Sequence, residues 1–551
     1  MDDQIPASLA QMSIKDTKNS EHVSDTPPIT AQPASRSYTV PTLFRLPREL
    51  RDMIYEQYIP DTDGFVYDHE TRKLTTTNGE PINLSLAYTC HAVYDELLGR
   101  AFELNSIIFH TAFSRTTRTV AGLWHGGIRK LDLYKDHLVD LMARRFMTTA
   151  IEEEVASLYP QFKPILAKWR LRSEVTLESK NHNWGETPSI YRDFIYHALK
   201  IVAKDSKFLQ TGTNWVCGLW IPQDKFNAYY NIFEFISLHP ELWNISSNKE
   251  LNHLERVSGV TTRVSGVNTK GPRFYHDTAN YRFSAASVAI KFLKNTSIMM
   301  RKHIRHVKLI EDWESTAHPE CHMRGFIPLC LEMPKLRIER CVNLWMTAYP
   351  FNESCPWETG EWSRMTPARR MFLLANHRRR PDFRDVRCVT KAIARWITEA
   401  NALESLGMPN GAFTLLFDGD PYPELAQYIF STVFQRDTAW RVALDMSYAS
   451  EGNGLPQASW LDRRRRLGYM YEDTPQLVRD MNLGTGIIRC NFDIGREHNA
   501  ENIVLECQHM GIEGWMDRWY DHQMYWQKDE LVPFHPLPDW RALRGDHLIP
   551  T

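Results

Sequence analysis

The stretch "FRLPRELRDMIYEQYI", residues 44–59, decides how the N-terminal part of the chain is read. It opens on an apolar residue and a Leu-Pro step and runs on into charges. At about 100° per residue, Leu46, Leu50, Met53, Ile54 and Tyr58 share one face, interrupted only by Gln57. Arg48, Glu49, Arg51, Asp52 and Glu56 cover the other. The spacing predicts an amphipathic helix that turns its stripe toward a core. Pro47 suits the first helical turn, where its missing N–H leaves nothing unpaired. Tyr55 stands apart: it falls among the charges, which predicts an exposed aromatic ring.

Upstream, residues 1–40 are rich in Ser, Thr, Pro, Gln and Asp. Such a segment has too little apolar surface to offset chain entropy and is expected to be a disordered tail. Downstream, "DTDGFVYDHETRKLTTTNGEPI" reads as two short strands about Phe65 and Leu74 with turns at the Asp-Gly and Asn-Gly steps. "LSLAYTCHAVYDELLGRAFELN" then reads as one helix with Leu86, Cys90, Val93, Leu97 and Ala101 on its stripe, so Cys90 is expected inside. "SIIFHTAF" is a short strand.

From residue 116 to about 280 the pattern is mainly helical, in "KDHLVDLMARRFMTTAIEEEVASLYPQF", "SIYRDFIYHALKIVAKD" and "KFNAYYNIFEFISLHPEL". Beyond 281 helices and strands alternate. "FSAASVAIKFLKN" is helical, "IRHVKLI" strand-like, "HPECHMRGFIPLCLEM" helical and "KLRIERC" strand-like, a β-α-β step that favours a parallel pair. The helix "VTKAIARWITEANALESLG", the strand "AFTLLFD" and a helix from Pro423 follow. Trp515, Trp519 and Trp526, near the C-terminal end, are too large to leave free and should pack back on the body. The expected fold class is α+β, predominantly helical. The expected order is a tail over 1–40, a helical module over 41–115, a helical region over 116–280 and an irregular helix–strand body over 281–551.

Bulk properties exclude several functions. The 551 residues carry a formal net charge of -2, which gives no long-range attraction for nucleic acid or an anionic membrane. No run approaches the about 18 uncharged apolar residues of a membrane span. The N-terminus has no apolar core of a secretory signal. Nine cysteines include no C-x-x-C pair, which fits a reducing compartment, cytoplasmic or nuclear.

Chemistry-bearing patterns are few. His303, His306, His318, Cys321, His322 and Cys330 cluster in sequence and could hold zinc, with His318, Cys321 and His322 the weak candidates. Ordinary packing around Pro319 also accounts for them. Asp418 and Asp420 come after a strand, where carboxylates can hold a divalent ion, although a plain turn rich in Asp, Gly and Pro explains them better. There is no G-x-S-x-G elbow, P-loop or G-x-G-x-x-G loop, so no catalytic residue and no cofactor is assigned. Arg463 to Arg466 fit an import signal, a phosphate-binding patch or a solvated turn.

Leu46, Pro47, Glu49, Leu50, Arg51, Ile54 and Tyr55, then Thr89, Cys90, Tyr94, Glu96, Asn105 and Phe109, make a paired pattern. On these residues the segment 42–113 resembles the F-box-like domain of filamentous-fungal proteins. The resemblance implies a small helical bundle whose Leu-Pro helix docks on a Skp-family adaptor of a cullin-based ubiquitin ligase. Leu46, Pro47, Leu50, Ile54 and Tyr55 would then be the adaptor contacts, and the rest of the chain would select a protein substrate. The alternatives are an enzyme or metal-binding protein using the central His/Cys block, and an interaction protein that binds no adaptor.

Overall fold

The computed structural model describes residues 42–59, 63–171, 186–220, 232–258, 281–349, 386–450, 455 and 472–522. The expected tail over 1–40, Arg463 to Arg466 and Trp526 lie outside the described residues. The architecture is α+β and predominantly helical, with parallel and antiparallel strand pairs. The chain divides into two units: Met1–Ile108 with Lys294–Val307, and Phe109–Leu293 with Lys308–Thr551.

In the first unit, α1 (Arg48–Tyr58) follows a 3-10 turn and is capped by Pro47. Strands β1 (Phe65–Asp68) and β2 (Lys73–Thr76) form an antiparallel hairpin where the sequence predicts one. β1 also pairs in parallel with β3 (Ser106–His110), giving the order β2-β1-β3. The single helix expected over 84–105 is instead two short ones, α2 (His91–Leu97) and α3 (Arg100–Leu104). Gly99 breaks them apart: its φ of +80 is left-handed, and a Cβ there would meet the His303 ring at 2.2 Å. α2 begins only at His91, so Cys90 stands at its N-cap and is exposed, not buried as the single-helix periodicity predicts.

The second unit begins with α4 (Arg115–Leu141), the longest helix described. Ser114 and Thr117 close a capping box at its start, with Thr117 N donating to Ser114 Oγ at 3.1 Å and Ser114 N to Thr117 Oγ1 at 2.7 Å. Helices α5 (Thr149–Leu158), α6 (Lys163–Arg170), α7 (Pro188–Val202), α8 (Ser206–Trp220), α9 (Ile232–Ser237) and α10 (Asn248–Ser258) complete its helical part. They build an aromatic core in which Phe162 and Phe194 stack with ring centroids 4.2 Å apart.

Helix α11 (Ala285–Asn295), the short α12 (Ile298–Arg301) and strand β4 (His306–Glu311) come next. The segment Pro319–Phe326 is a 3-10 stretch that leads into α13 (Ile327–Glu332) and then β5 (Arg337–Asn343). Helix α14 (Val386–Ser405), β6 (Phe413–Asp418), α15 (Pro423–Ile429), α16 (Arg436–Ala449), α17 (Thr474–Leu483), β7 (Ile488–Cys490), α18 (Ala500–Cys507) and α19 (Ile512–His522) follow. Of these elements, α12 and the first two residues of β4 belong to the first unit, and the strand order from β4 on is β4-β5-β6-β7. β5 pairs in parallel with β6 from Ile338↔Phe413 to Asn343↔Asp418, and β6 in parallel with β7. β6 alternates buried and half-buried residues, the period-2 signature that marks "AFTLLFD" in the sequence. Glu311 of β4 and Arg340 of β5 form a buried ion pair at 2.6 Å, and Glu311 also accepts from Ala285 N at 3.0 Å. Trp515 and Trp519 pack on α16, as their size predicts, with the Trp515 and Trp440 rings perpendicular at 5.8 Å. No helix among the described residues is long and apolar enough to cross a membrane.

Candidate functional site

Helix α1 is turned the opposite way from its amphipathic reading. Tyr55 is wholly buried, and Arg51 is only 13% exposed at its side chain. Leu50, Met53, Ile54 and Tyr58, the expected core stripe, are 45%, 61%, 42% and 43% exposed. The cause is Glu96 on α2. Its carboxylate accepts from Arg51 Nε at 2.9 Å and from Tyr55 Oη at 2.8 Å, and lies 2.5 Å from Arg51 Nη2. Arg51 Nη1 adds a bond to the Leu46 carbonyl at 2.6 Å. A carboxylate that takes a bidentate guanidinium and a phenol is fully satisfied, so the charged side of α1 can close over it.

The same wiring continues through the unit. Arg100 bridges Glu56 and Glu103 at 2.9 Å each, and Glu103 takes His303 and Arg305 at 3.0 Å each. The Arg51 guanidinium draws the Glu96 carboxyl down to about 2, against the effect of its burial. Burial and the Glu96 carboxylate push the Tyr55 phenol up to about 12. Of the expected adaptor contacts, Leu50 and Ile54 are therefore on the outside, as is Pro47, and Leu46 is half-buried. Tyr55 is a correction: it is a scaffold residue held by Glu96, and its ring is unavailable to any partner.

The central His/Cys block does not converge on a shared centre. His318 sits in the left-handed region just outside the 3-10 stretch, so it does not share a helix face with His322. It lies 3.6 Å from both Asp132 and Glu320. The Sγ of Cys321 donates to the His318 carbonyl at 3.1 Å, and burial raises its thiol far above the ordinary range. His322 is buried, with Nδ1 2.7 Å from Ser284 Oγ and Nε2 2.8 Å from the Ala317 carbonyl. Among the described residues no three His, Cys, Asp or Glu side chains gather in a way that could hold a metal ion. Asp418 accepts from Asp420 N at 3.0 Å and Asn491 Nδ2 at 2.6 Å, which is turn and strand-end bonding.

A cleft in the second unit brings together charged groups of which the sequence reading singles out only His318. Asp132 and Lys135 of α4, Arg192 of α7, His239, His318, Glu320, and Arg395 and Glu399 of α14 all line it. Arg192 Nε donates to Asp132 Oδ1 at 3.1 Å, and Glu399 accepts from Ser189 N and Oγ at 2.7 Å each. Burial lifts the Glu399 carboxyl to about 7. Burial, then the charge of Arg192, lowers the Lys135 ammonium to about 7. Burial opposes a charge on His318, but Asp132 and Glu320 outweigh it and raise the imidazole to about 9. A signal for this site exists in the sequence. Lys135 stands in the row Trp124, Ile128, Leu131, Lys135, Leu138, where every other member is apolar.

No family model matches the chain, and no curated protein and no solved structure matches it either.

Proposed function

We propose that this chain is an F-box-like interaction protein that docks on a Skp-family adaptor through the outward side of α1. In this reading the second unit recruits a protein substrate to a ubiquitin ligase, in the cytoplasm or nucleus. The work done is proximity: the effective concentration of substrate lysines rises near the ligase, and this chain does no chemistry.

One observation carries the reading. The four apolar side chains Leu50, Met53, Ile54 and Tyr58 stand exposed in one row of a helix that is already anchored by its other side. A row at such spacing is the geometry of a helix laid into an apolar groove. Its exposure leaves apolar area to be removed from water on docking, at roughly 25 cal/mol per Å². The Leu-Pro start and the position of Glu96 on the paired helix come from the F-box-like pattern and add to this reading.

The test is co-purification of the full chain with the adaptor, beside the double variant Leu50→Asp, Ile54→Asp. Binding by the natural chain and its loss in the variant, with an unchanged unfolding transition, is the expected result. Equal retention of both would remove this face from the contact. Retention of neither would remove the adaptor from the reading.

A further inference from the structure

We infer that the cleft of the second unit binds a small oxyanion, a carboxylate or phosphate group, between Lys135 and Arg192. The two cations come from different helices but are fixed on one short segment. Lys135 Nζ donates to the Leu238 carbonyl at 2.5 Å, and Arg192 Nη1 to the Pro240 carbonyl at 3.4 Å. The carbonyls flank His239, whose ring stacks on Tyr196 at 4.3 Å, while Lys135 lies 5.1 Å over the same Tyr196 ring. Three basic side chains therefore crowd one wall of the cleft.

Two carboxylates beside these cations are engaged, while Asp136, Glu320 and Glu399 also line the cleft and Glu320 Oε1 has no hydrogen-bond partner. Asp132 holds Arg192 Nε and faces His318, and Asp193 holds His239 at 2.9 Å and Arg324 at 2.6 Å. Arg192 Nη2 is shielded from solvent and has no hydrogen-bond partner, and Lys135 is 4% exposed with one of its three N–H bonds directed at Leu238. A buried donor without an acceptor is costly, and two like charges in a shielded cleft compound the cost. Burial first, and then the charge of Arg192, depresses the Lys135 ammonium. An oxyanion whose oxygens accept from Arg192 Nη2 and Lys135 Nζ removes both penalties together, by charge-assisted bonds. Pro188, Ile195 and Leu242 supply an apolar wall, which suits a small organic acid or phosphate ester.

The experiment uses the full chain, titrated separately with inorganic phosphate and with acetate against chloride at matched ionic strength. Thermal unfolding and calorimetry are the readouts. The expected result is saturable binding of at least one of the two anions, weakened at least tenfold by Lys135→Met and by Arg192→Lys. The second variant keeps the charge beside Asp132 but withdraws the planar fork. Preference between the two probes assigns the phosphate or the carboxylate chemistry. In the natural chain the bound anion should also slow reductive methylation of Lys135, read by mass spectrometry, which stands even if a variant fails to fold. Stabilisation no greater than with chloride, affinity in both variants equal to that of the natural chain, or methylation of Lys135 unaffected by saturating anion would overturn the proposal.

Discussion

In the first unit Glu96 gathers Arg51 and Tyr55, and the apolar side of α1 is left outside; in the second Glu311 gathers Arg340 and both are buried. The two carboxylates make similar bonds, yet their surroundings differ. Arg340 is 1% exposed, lies 4.6 Å from the Trp396 ring and donates to the Pro319 carbonyl at 2.8 Å. The second unit has enough apolar surface to bury the pair on all sides. The first joins its helices by two groups of ion pairs, one on Glu96 with Arg48 and Arg51, the other running Glu56, Arg100, Glu103 and Arg305. The difference teaches that the facing of a short helix is set by which side finds partners. The width of its apolar stripe does not decide it.

The largest effect should come from the second unit. Arg340→Met leaves the Glu311 carboxylate buried without its counter-charge and should cost about 3–5 kcal/mol, read from denaturant unfolding of the full chain. Glu96→Gln should cost less, about 2–3 kcal/mol, because Arg51 can reach water, with the loss confined to amide exchange protection of α1 and α2. A cost as large as that of Arg340→Met would erase the distinction between the two pairs.

The same glutamate gives a pH dependence. Its carboxyl lies at about 2 in the folded chain against the ordinary 4.5, so its contribution is complete above about 4.5 and is lost as pH falls toward 2. Protection of the α1 amides should therefore fall across that window; a flat profile would show that Glu96 does not anchor the helix. Gly99→Ala should destabilise by more than about 1 kcal/mol, through its positive φ and the His303 ring. Smallest of all is the double variant Leu50→Asp, Ile54→Asp, expected within about 0.5 kcal/mol of the natural chain.

Much of the scaffold is legible in the sequence, because it rests on local periodicity. Strands β1, β2, β3, β5 and β6 and the start of α15 at Pro423 fall where alternation and Pro punctuation predict them. The facing of α1 is not legible, since it depends on Glu96, which lies 45 residues from Arg51 and 41 from Tyr55. The division of the 84–105 helix is legible in principle, because Gly99 is the one glycine of that segment and favours a left-handed break. For the cleft, Lys135 in an apolar row was a usable signal, whereas Arg192 and Glu399 acquire their setting only through tertiary contact.

Two adjacent residues test the account most directly. The unfolding free energies of Ile54→Asp and Tyr55→Ala, measured in the full chain, compare the two sides of α1. The outward facing of the apolar row predicts a change within about 0.5 kcal/mol for Ile54→Asp. It predicts a loss of about 3–5 kcal/mol for Tyr55→Ala, the cost of emptying a buried aromatic site. The reverse order would mean that α1 packs by its apolar stripe after all, and the docking face would not exist.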